Sequence, residues 1–122
     1  MELFDNNISF LEFKKTFSTE DICYNYLESI YWSKRIVSPY HKRAQVSQVQ
    51  KNVYKCKNTG KMFTVRTNTL FDDEVSLKLW FNALYILIKD PDIPVEHLGG
   101  LLGIDTPSAE YFRLRIEDYS KS

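Results

Sequence analysis

Cysteine, glycine and proline are all scarce in this chain of 122 residues. Its two cysteines are too few to build a framework of disulfides, and four glycines with four prolines exclude a collagen-like or low-complexity chain. No apolar run reaches the roughly 18–20 residues that span a bilayer. The N-terminus lacks the basic and apolar regions of a secretion signal. These absences predict one globular domain in the cytoplasm, without a membrane partner.

Acidic residues are missing from one long stretch. Between Glu28 and Asp72 there is none, although the whole chain has 16 acidic and 16 basic residues. The stretch contains nine basic residues: Lys34, Arg35, Lys42, Arg43, Lys51, Lys55, Lys57, Lys61 and Arg66. The remainder therefore has seven basic residues against all 16 acidic ones. A chain with no net charge but with its charges separated in this way predicts that the middle attracts polyanions or an acidic protein surface.

The hydrophobic periodicity changes twice along the chain and divides it into three segments. Residues 1–33 predict a helical lead-in, with Ser9 and Glu12 as a capping box. Residues 34–71, which we name the basic ribbon, predict three short strands over 46–50, 52–57 and 61–67. Residues 72–122 predict three helices, of which the first, over 75–89, is apolar almost all round and therefore central. The fold class expected is α+β within a single domain.

The last two predicted helices have the outline of a helix-turn-helix. Pro94 begins the first of them, Gly103 ends it, and Thr106-Pro107 begins the second. The spacing places Ala109, Phe112, Ile116 and Tyr119 inward on the second helix. Its opposite face has Glu110, Tyr111, Leu114, Glu117 and Asp118. That face is acidic and partly apolar, which is unsuited to reading bases and favours a protein contact through Tyr111 and Leu114, for example in a homodimer.

The ordered motifs from about residue 10 to 116 resemble the N-terminal module of bacterial insertion-sequence transposases, a zinc ribbon followed by a helix-turn-helix. The matching segments are Tyr31-Trp32, Phe63-Thr64-Val65-Arg66-Thr67-Asn68-Thr69-Leu70-Phe71, Leu77-Lys78-Leu79-Trp80-Phe81 and Leu98-Gly99-Gly100-Leu101-Leu102-Gly103-Ile104. The resemblance implies a DNA-recognition module from a mobile genetic element. It covers no catalytic domain, so a transposase activity of this chain is not implied.

The zinc ligands of that family are replaced in this chain. The first knuckle reads Ser38-Pro39-Tyr40-His41 and the second Cys56-Lys57-Asn58-Thr59. The vestigial positions are thus Ser38, His41, Cys56 and Thr59. A structural Zn²⁺ is held by four tetrahedral ligands, usually thiolate or imidazole, and only His41 and Cys56 are of that kind. We therefore expect no bound zinc and no other cofactor, with aromatic packing in place of the metal.

Two classes of function are compatible with these observations. The first is a nucleic-acid-binding protein that contacts the backbone through Lys42, Arg43, Lys51, Lys55, Lys57, Lys61, Arg66, Tyr40 and Tyr54. The second is a protein–protein module, such as a phage or mobile-element inhibitor of a host nucleic-acid-binding enzyme, or a small regulator. The replaced zinc ligands and the acidic last helix favour the second, and the basic ribbon favours the first. No nucleophile–base set, carboxylate pair or phosphate-binding glycine loop is visible, so an enzyme is not expected.

Overall fold

The structure is a computed structural model that describes residues 7–121. The helices within that range are α1 (Phe10–Thr16), α2 (Glu20–Tyr31), α3 (Leu77–Lys89), α4 (Val95–Leu102) and α5 (Thr106–Ser120), and the strands are β1 (Val46–Gln50), β2 (Val53–Cys56) and β3 (Met62–Phe63). The strands form one antiparallel sheet in the order β1-β2-β3. This confirms the α+β class and its three-part layout. The expectation about a secretion signal falls mainly on residues 1–6, outside the described range.

The chain divides into two compact units. The helical unit contains Met1–Glu20 and Val75–Ser122, and the ribbon unit contains Asp21–Glu74. The helical unit has 11 acidic and seven basic residues, a formal net charge of −4, whereas the ribbon unit has five acidic and nine basic residues, a net charge of +4. The charge separation of the sequence is therefore also a separation between units. That the two form one domain stays a prediction.

Aromatic rings on α1 and α3 form much of the core of the helical unit. Ser9 caps α1 by accepting a hydrogen bond from the backbone N–H of Glu12. The ring of Phe13 then lies 4.7 Å from that of Tyr85, and Phe17 meets Phe81 edge-on at 5.3 Å. Eight of the 13 residues of α3 are buried, as its nearly continuous apolar sequence predicts. The central position of α3 is confirmed.

The helix-turn-helix outline is confirmed in α4 and α5. Gly103 ends α4 in the left-handed conformation, with φ 71°, and Asp105 caps α5 by accepting from the N–H of Ser108 at 2.9 Å. Ala109 and Phe112 are buried as predicted, but Tyr119 is 48 % exposed, so its inward placement was wrong. The helical spacing continues to Tyr119, yet the buried residues of α5 end at Phe112, so its last turns extend beyond the core.

The sheet of the ribbon unit has one covered and one open face. Tyr54, Cys56 and Phe63 are buried, while Lys55 and Met62 lie opposite one another on the exposed side. The third strand was predicted to continue to Thr67, which is wrong because it ends at Phe63. Beyond it the Thr67 hydroxyl accepts from the backbone N–H of Thr64 at 3.0 Å. Such side-chain-to-backbone bonds compete with ladder pairing and turn the chain away from the sheet.

None of the helices within residues 7–121 combines the length and the apolar character that a membrane crossing requires.

Candidate nucleic-acid interface

Eight of the nine basic side chains between Glu28 and Asp72 are exposed, and all eight belong to the ribbon unit. They are Lys34, Arg35, Lys42, Arg43, Lys51, Lys55, Lys57 and Lys61. Exposed Lys and Arg side chains present N–H donors and no acceptor to their surroundings. The exposed surface of the ribbon unit therefore presents a high density of cationic donors, which is what a phosphate backbone requires.

Three of these lysines surround the turn between β2 and β3. Lys55 is on the open face of the sheet, and Lys57 and Lys61 flank the turn on either side. The backbone N–H of Gly60 donates to the carbonyl of Cys56 at 2.7 Å, and that of Cys56 donates to the carbonyl of Lys61 at 2.9 Å. Gly60 has φ 73°, a conformation that costs glycine little. The local fold thus concentrates three cations at one tight turn.

Tyr40 and Tyr54, the two aromatic residues predicted to contact nucleic acid, have different surroundings. The ammonium group of Lys61 lies 5.1 Å from the ring centre of Tyr40, which is half-buried and whose hydroxyl donates to the carbonyl of Met62. Tyr54 is only 5 % exposed, and its hydroxyl donates to the carboxylate of Glu28 at 3.2 Å. Burial and the Glu28 charge raise the pKa of Tyr54. Tyr40 belongs to the exposed basic surface, whereas Tyr54 belongs to the core.

Arg66 is also placed differently from the other predicted contact residues. It is 9 % exposed, and its Nε donates to the carbonyl of Phe71 at 2.7 Å while Nη2 donates to Asp73 at 2.9 Å. A guanidinium held by these partners is not presented to a phosphate. The sequence contained a signal for this pairing, since the acidic run 72–74 follows Arg66 closely, but strand alternation pointed its side chain outward.

Lys51, another predicted contact residue, forms an ion pair that is exposed to solvent. Its ammonium group lies 2.7 Å from the carboxylate of Asp21, and both side chains are largely exposed. Exposed pairs of this kind contribute only about 0–1 kcal/mol. Lys51 can therefore exchange Asp21 for a phosphate at little cost in free energy.

Three of the four vestigial knuckle residues, Ser38, Cys56 and Thr59, form one hydrogen-bonded cluster. The hydroxyl of Ser38, which is buried, accepts from the backbone N–H groups of Tyr40 and His41 at 3.0 and 3.3 Å. Cys56 in turn accepts from the hydroxyls of Ser38 and Thr59 and from the backbone N–H groups of Thr59 and Asn58. These bonds, those of the Ser38 and Thr59 hydroxyls first, lower the pKa of the Cys56 thiol to about 7, although burial opposes them.

The fourth vestigial residue does not join this hydrogen-bonded cluster through its side chain. His41 is exposed and contributes its backbone N–H to Ser38. Within residues 7–121 no group of three or more His, Cys, Asp or Glu side chains could hold a metal ion. The expectation that zinc is not bound stays a prediction, because the residues present, and not a measurement, support it.

Sequence reasoning missed a groove on the ribbon unit, which we name the ring groove. It has a volume of about 350 Å³, and its lining includes Tyr31, Trp32, Pro39, Lys42, Thr64 and Thr69. The available signal was two adjacent aromatic residues, Tyr31 and Trp32, separated from Lys34-Arg35 by Ser33 alone. The sequence distance from residue 31 to residue 69 hid the fact that these side chains line one concave surface.

The outer face of α5 has the exposure that the sequence predicts. Tyr111 is 38 % and Leu114 is 54 % exposed, and Glu117 and Asp118 of the same helix are also exposed. Tyr111 also borders an apolar groove of about 330 Å³ with Val75, Leu79 and Ile104. This surface belongs to the helical unit, whose net charge of −4 is opposite in sign to that of the ribbon unit.

Comparison with known proteins adds no assignment to this geometry, since no family model, no curated protein and no solved structure matches the chain.

Proposed function

We propose that this chain is a non-enzymatic nucleic-acid-binding protein that contacts the phosphate backbone through the basic ribbon. One observation carries the proposal: eight exposed cationic side chains lie on the ribbon unit, within a stretch that contains no acidic residue. Phosphate contacts supply most of the affinity of non-specific nucleic-acid binding, and they need charge and N–H donors rather than one unique geometry. The contact set is Lys42, Arg43, Lys51, Lys55, Lys57, Lys61 and Tyr40. Arg66 and Tyr54 are left out because they are buried.

The conformation of the two knuckles supports the resemblance to a transposase DNA-recognition module. At both positions a side chain accepts hydrogen bonds from backbone N–H groups two and three residues further along, Ser38 from Tyr40 and His41, and Cys56 from Asn58 and Thr59. Successive N–H groups that converge on one atom form a concavity suited to an anion or a thiolate. In this chain the acceptor is the Ser38 hydroxyl at the first knuckle and the Cys56 thiol at the second, and the two groups are hydrogen-bonded to each other. The proposal includes a cytoplasmic location, which is favoured because Cys23 and Cys56 are both buried thiols and form no disulfide.

In this proposal the helix-turn-helix does not read bases. The exposed side of α5 presents Tyr111, Leu114, Glu117 and Asp118, and carboxylates near DNA phosphates are repelled. A recognition helix needs Arg, Lys, Asn or Gln on that side. The α4–α5 pair therefore serves packing within the helical unit, and binding is expected to depend little on base sequence.

A salt series tests the proposal directly. Neutralising about four to six phosphates should make log K fall with log salt concentration with a slope of about −4 to −5 on duplex DNA and of roughly −3 to −4 on a single strand. The measurement is fluorescence anisotropy of labelled duplex DNA, single-stranded DNA and RNA, titrated with the protein at several salt concentrations. No binding to any of the three at low salt would refute the proposal.

The exposed face of α5 favours a protein–protein module as a second candidate. Such a module would be an inhibitor of a nucleic-acid-binding enzyme or a small regulator, and Leu114 with Tyr111 and the adjacent apolar groove would form its contact. Leu114→Arg separates the two candidates, because it changes the α5 face and no residue of the basic ribbon. Unchanged nucleic-acid affinity in this variant supports the first candidate, and loss of a concentration-dependent self-association in sedimentation supports the second.

A further inference from the structure

We propose that the ring groove takes an unpaired base, so that the nucleic acid bound by this protein is single-stranded. The inference rests on the proposed function, because the groove belongs to the same unit as the exposed cations. The basic ribbon supplies the contact to phosphate, and the groove adds a contact to the base. The argument has four parts: the size of the groove, the fixed position of its indole, its polar rim and the cation at its edge.

The groove has the size and chemistry of a small-ligand site. Its volume of about 350 Å³ lies in the range of roughly 300–1,000 Å³ found for such sites. Aromatic rings, Pro39 and Val37 supply the apolar part of its lining, and Thr64 supplies a hydroxyl group, because those of Ser38 and Thr69 are engaged in other hydrogen bonds. A flat heteroaromatic ring with polar edges matches this combination better than an aliphatic chain or a bare anion does.

Trp32 is held in a fixed position by the core beneath it. Its indole meets the ring of Tyr54 edge-on at 5.3 Å and 90°, and the ring of Phe63 at 6.0 Å and 89°. Trp32 is nevertheless half-buried and lines the groove, so part of the indole remains accessible. An aromatic side chain already fixed by its neighbours loses little conformational entropy on binding, which suits a stacking platform.

Thr64 places a hydroxyl at the polar rim of the groove. The oxygen of that hydroxyl accepts from the backbone N–H of Arg66 at 3.1 Å, which fixes the side chain. A hydroxyl that accepts in this way keeps its proton to donate. The acceptors on a base edge, a carbonyl oxygen or a ring nitrogen, are complementary to it.

Lys42 connects the groove with the basic ribbon. It is exposed, it lines the groove, and its carbonyl accepts from a guanidinium N–H of Arg35 at 3.0 Å, which brings a second basic side chain to the same edge. A backbone that follows these cations passes the mouth of the groove. In a duplex each base is stacked and paired and cannot enter a recess, whereas the bases of a single strand can turn out and stack on aromatic side chains.

The test compares oligothymidine with an oligomer of the same length and charge made of abasic sites. If a base enters the groove, oligothymidine should bind the unmodified protein roughly tenfold more tightly, as expected when one base stacks on one aromatic ring. It should also quench tryptophan fluorescence, and this signal reports Trp32, because Trp80, the other tryptophan, is fully buried. Equal affinity for the two oligomers would overturn the inference and leave the proposed function standing. Failure of both to bind at low salt would refute the proposed function itself.

A matched pair of variants locates the base. Val37→Phe fills the groove with added volume, and Val49→Phe makes the same change at an exposed valine on β1. We expect Val37→Phe to bind the two oligomers equally, with its affinity for the abasic one unchanged, and Val49→Phe to keep the preference for oligothymidine. A preference that persists in folded Val37→Phe would show that the base lies elsewhere. If Val37→Phe does not fold, the affinities of the unmodified protein for oligothymidine and for the abasic oligomer still decide whether a base contributes to binding.

Discussion

Two buried polar side chains of the ribbon unit, Ser38 and Cys56, are hydrogen-bonded to each other, and the exposed Thr59 bonds to the same thiol. The hydroxyls of Ser38 and Thr59 donate to the thiol of Cys56, while their oxygens accept from backbone N–H groups, that of Thr59 from Lys61 at 3.2 Å. These bonds lower the pKa of Cys56 from its ordinary value of 9.0 to about 7. The folded protein therefore binds fewer protons than the unfolded chain between pH 7 and pH 9. The contribution of Cys56 to the free energy of unfolding rises over that interval and is lost as the pH falls through about 7.

Ser38→Ala should raise the pKa of Cys56 towards 9.0, because it removes the largest of the stabilising hydrogen bonds. Thr59→Val should raise it less, and Thr59→Ser, which keeps the hydroxyl, should leave it near 7. Ultraviolet absorbance of the thiolate gives the pKa in each variant, and Cys23 is common to all of them. Urea unfolding at pH 7 and pH 9 should show a smaller rise in stability for Ser38→Ala than for the unchanged protein. An unchanged pKa in Ser38→Ala would contradict this account of the cluster.

Two neighbouring glycines on α4 should respond in opposite directions to the same substitution. A Cβ at Gly99 would lie 2.9 Å from the carbonyl oxygen of Ile104, whereas a Cβ at Gly100 would meet nothing within 4 Å. Gly99→Ala should lower the free energy of unfolding by about 1–3 kcal/mol through this clash. Gly100→Ala should raise it by about 0.4–1 kcal/mol, since it reduces the entropy of the unfolded chain. Urea denaturation measures both, and equal effects would show that α4 does not approach the turn so closely.

At the scale of elements, a buried ion pair holds the segment that follows β3. Arg66 donates to the carbonyl of Phe71 and to the carboxylate of Asp73, and both members of the pair are largely covered. Thr64, Thr67 and Thr69 bond to the neighbouring backbone in the same segment. This explains why a stretch with three threonines and one valine is not a strand beyond Phe63.

Replacing Asp73 with Ala should lower the free energy of unfolding by about 3 kcal/mol, because it leaves the Arg66 charge covered and without its carboxylate. Arg66→Lys should also destabilise, since an ammonium group cannot reproduce the fork of the guanidinium. In both variants the folded protein should bind nucleic acid with the same salt slope as the unchanged chain. A slope reduced by about one in Arg66→Gln, which removes the charge, would instead identify Arg66 as a phosphate contact.

The elements that sequence alone could predict are those specified by local rules. The apolar run of α3, the proline and glycine at the ends of α4, and the Ser9 cap of α1 all act within a few residues, whereas the cap of α5 is Asp105 and not the predicted Thr106. The length of β3, the burial of Arg66 and the exposure of Tyr119 depend on which segments meet in three dimensions. The candidate site divides in the same way. The exposed lysines follow from their spacing, but the ring groove depends on residues 31 and 69 lining one surface.

At the scale of the molecule, the two units have net charges of opposite sign and separate cores. The ribbon unit carries +4 and the helical unit −4, so a chain with no net charge still has one unit with an excess of cations, which we propose attracts polyanions. Within the ribbon unit the five carboxylates include Asp73, paired with Arg66, and Glu28, bonded to Tyr54. The lysines at the β2–β3 turn have no acidic neighbour in sequence, which is why they are the most direct place to test the account.

The deciding measurement is the nucleic-acid affinity of two triple variants with the same change in net charge. The first is Lys55→Glu/Lys57→Glu/Lys61→Glu in the ribbon unit, and the control is Lys15→Glu/Lys78→Glu/Lys121→Glu at exposed lysines of the helical unit. The account predicts that the first loses affinity and that its salt slope falls by roughly three, while the control keeps both close to those of the unchanged protein. Full affinity in the first variant, or an equal loss in both, would contradict binding through the basic ribbon.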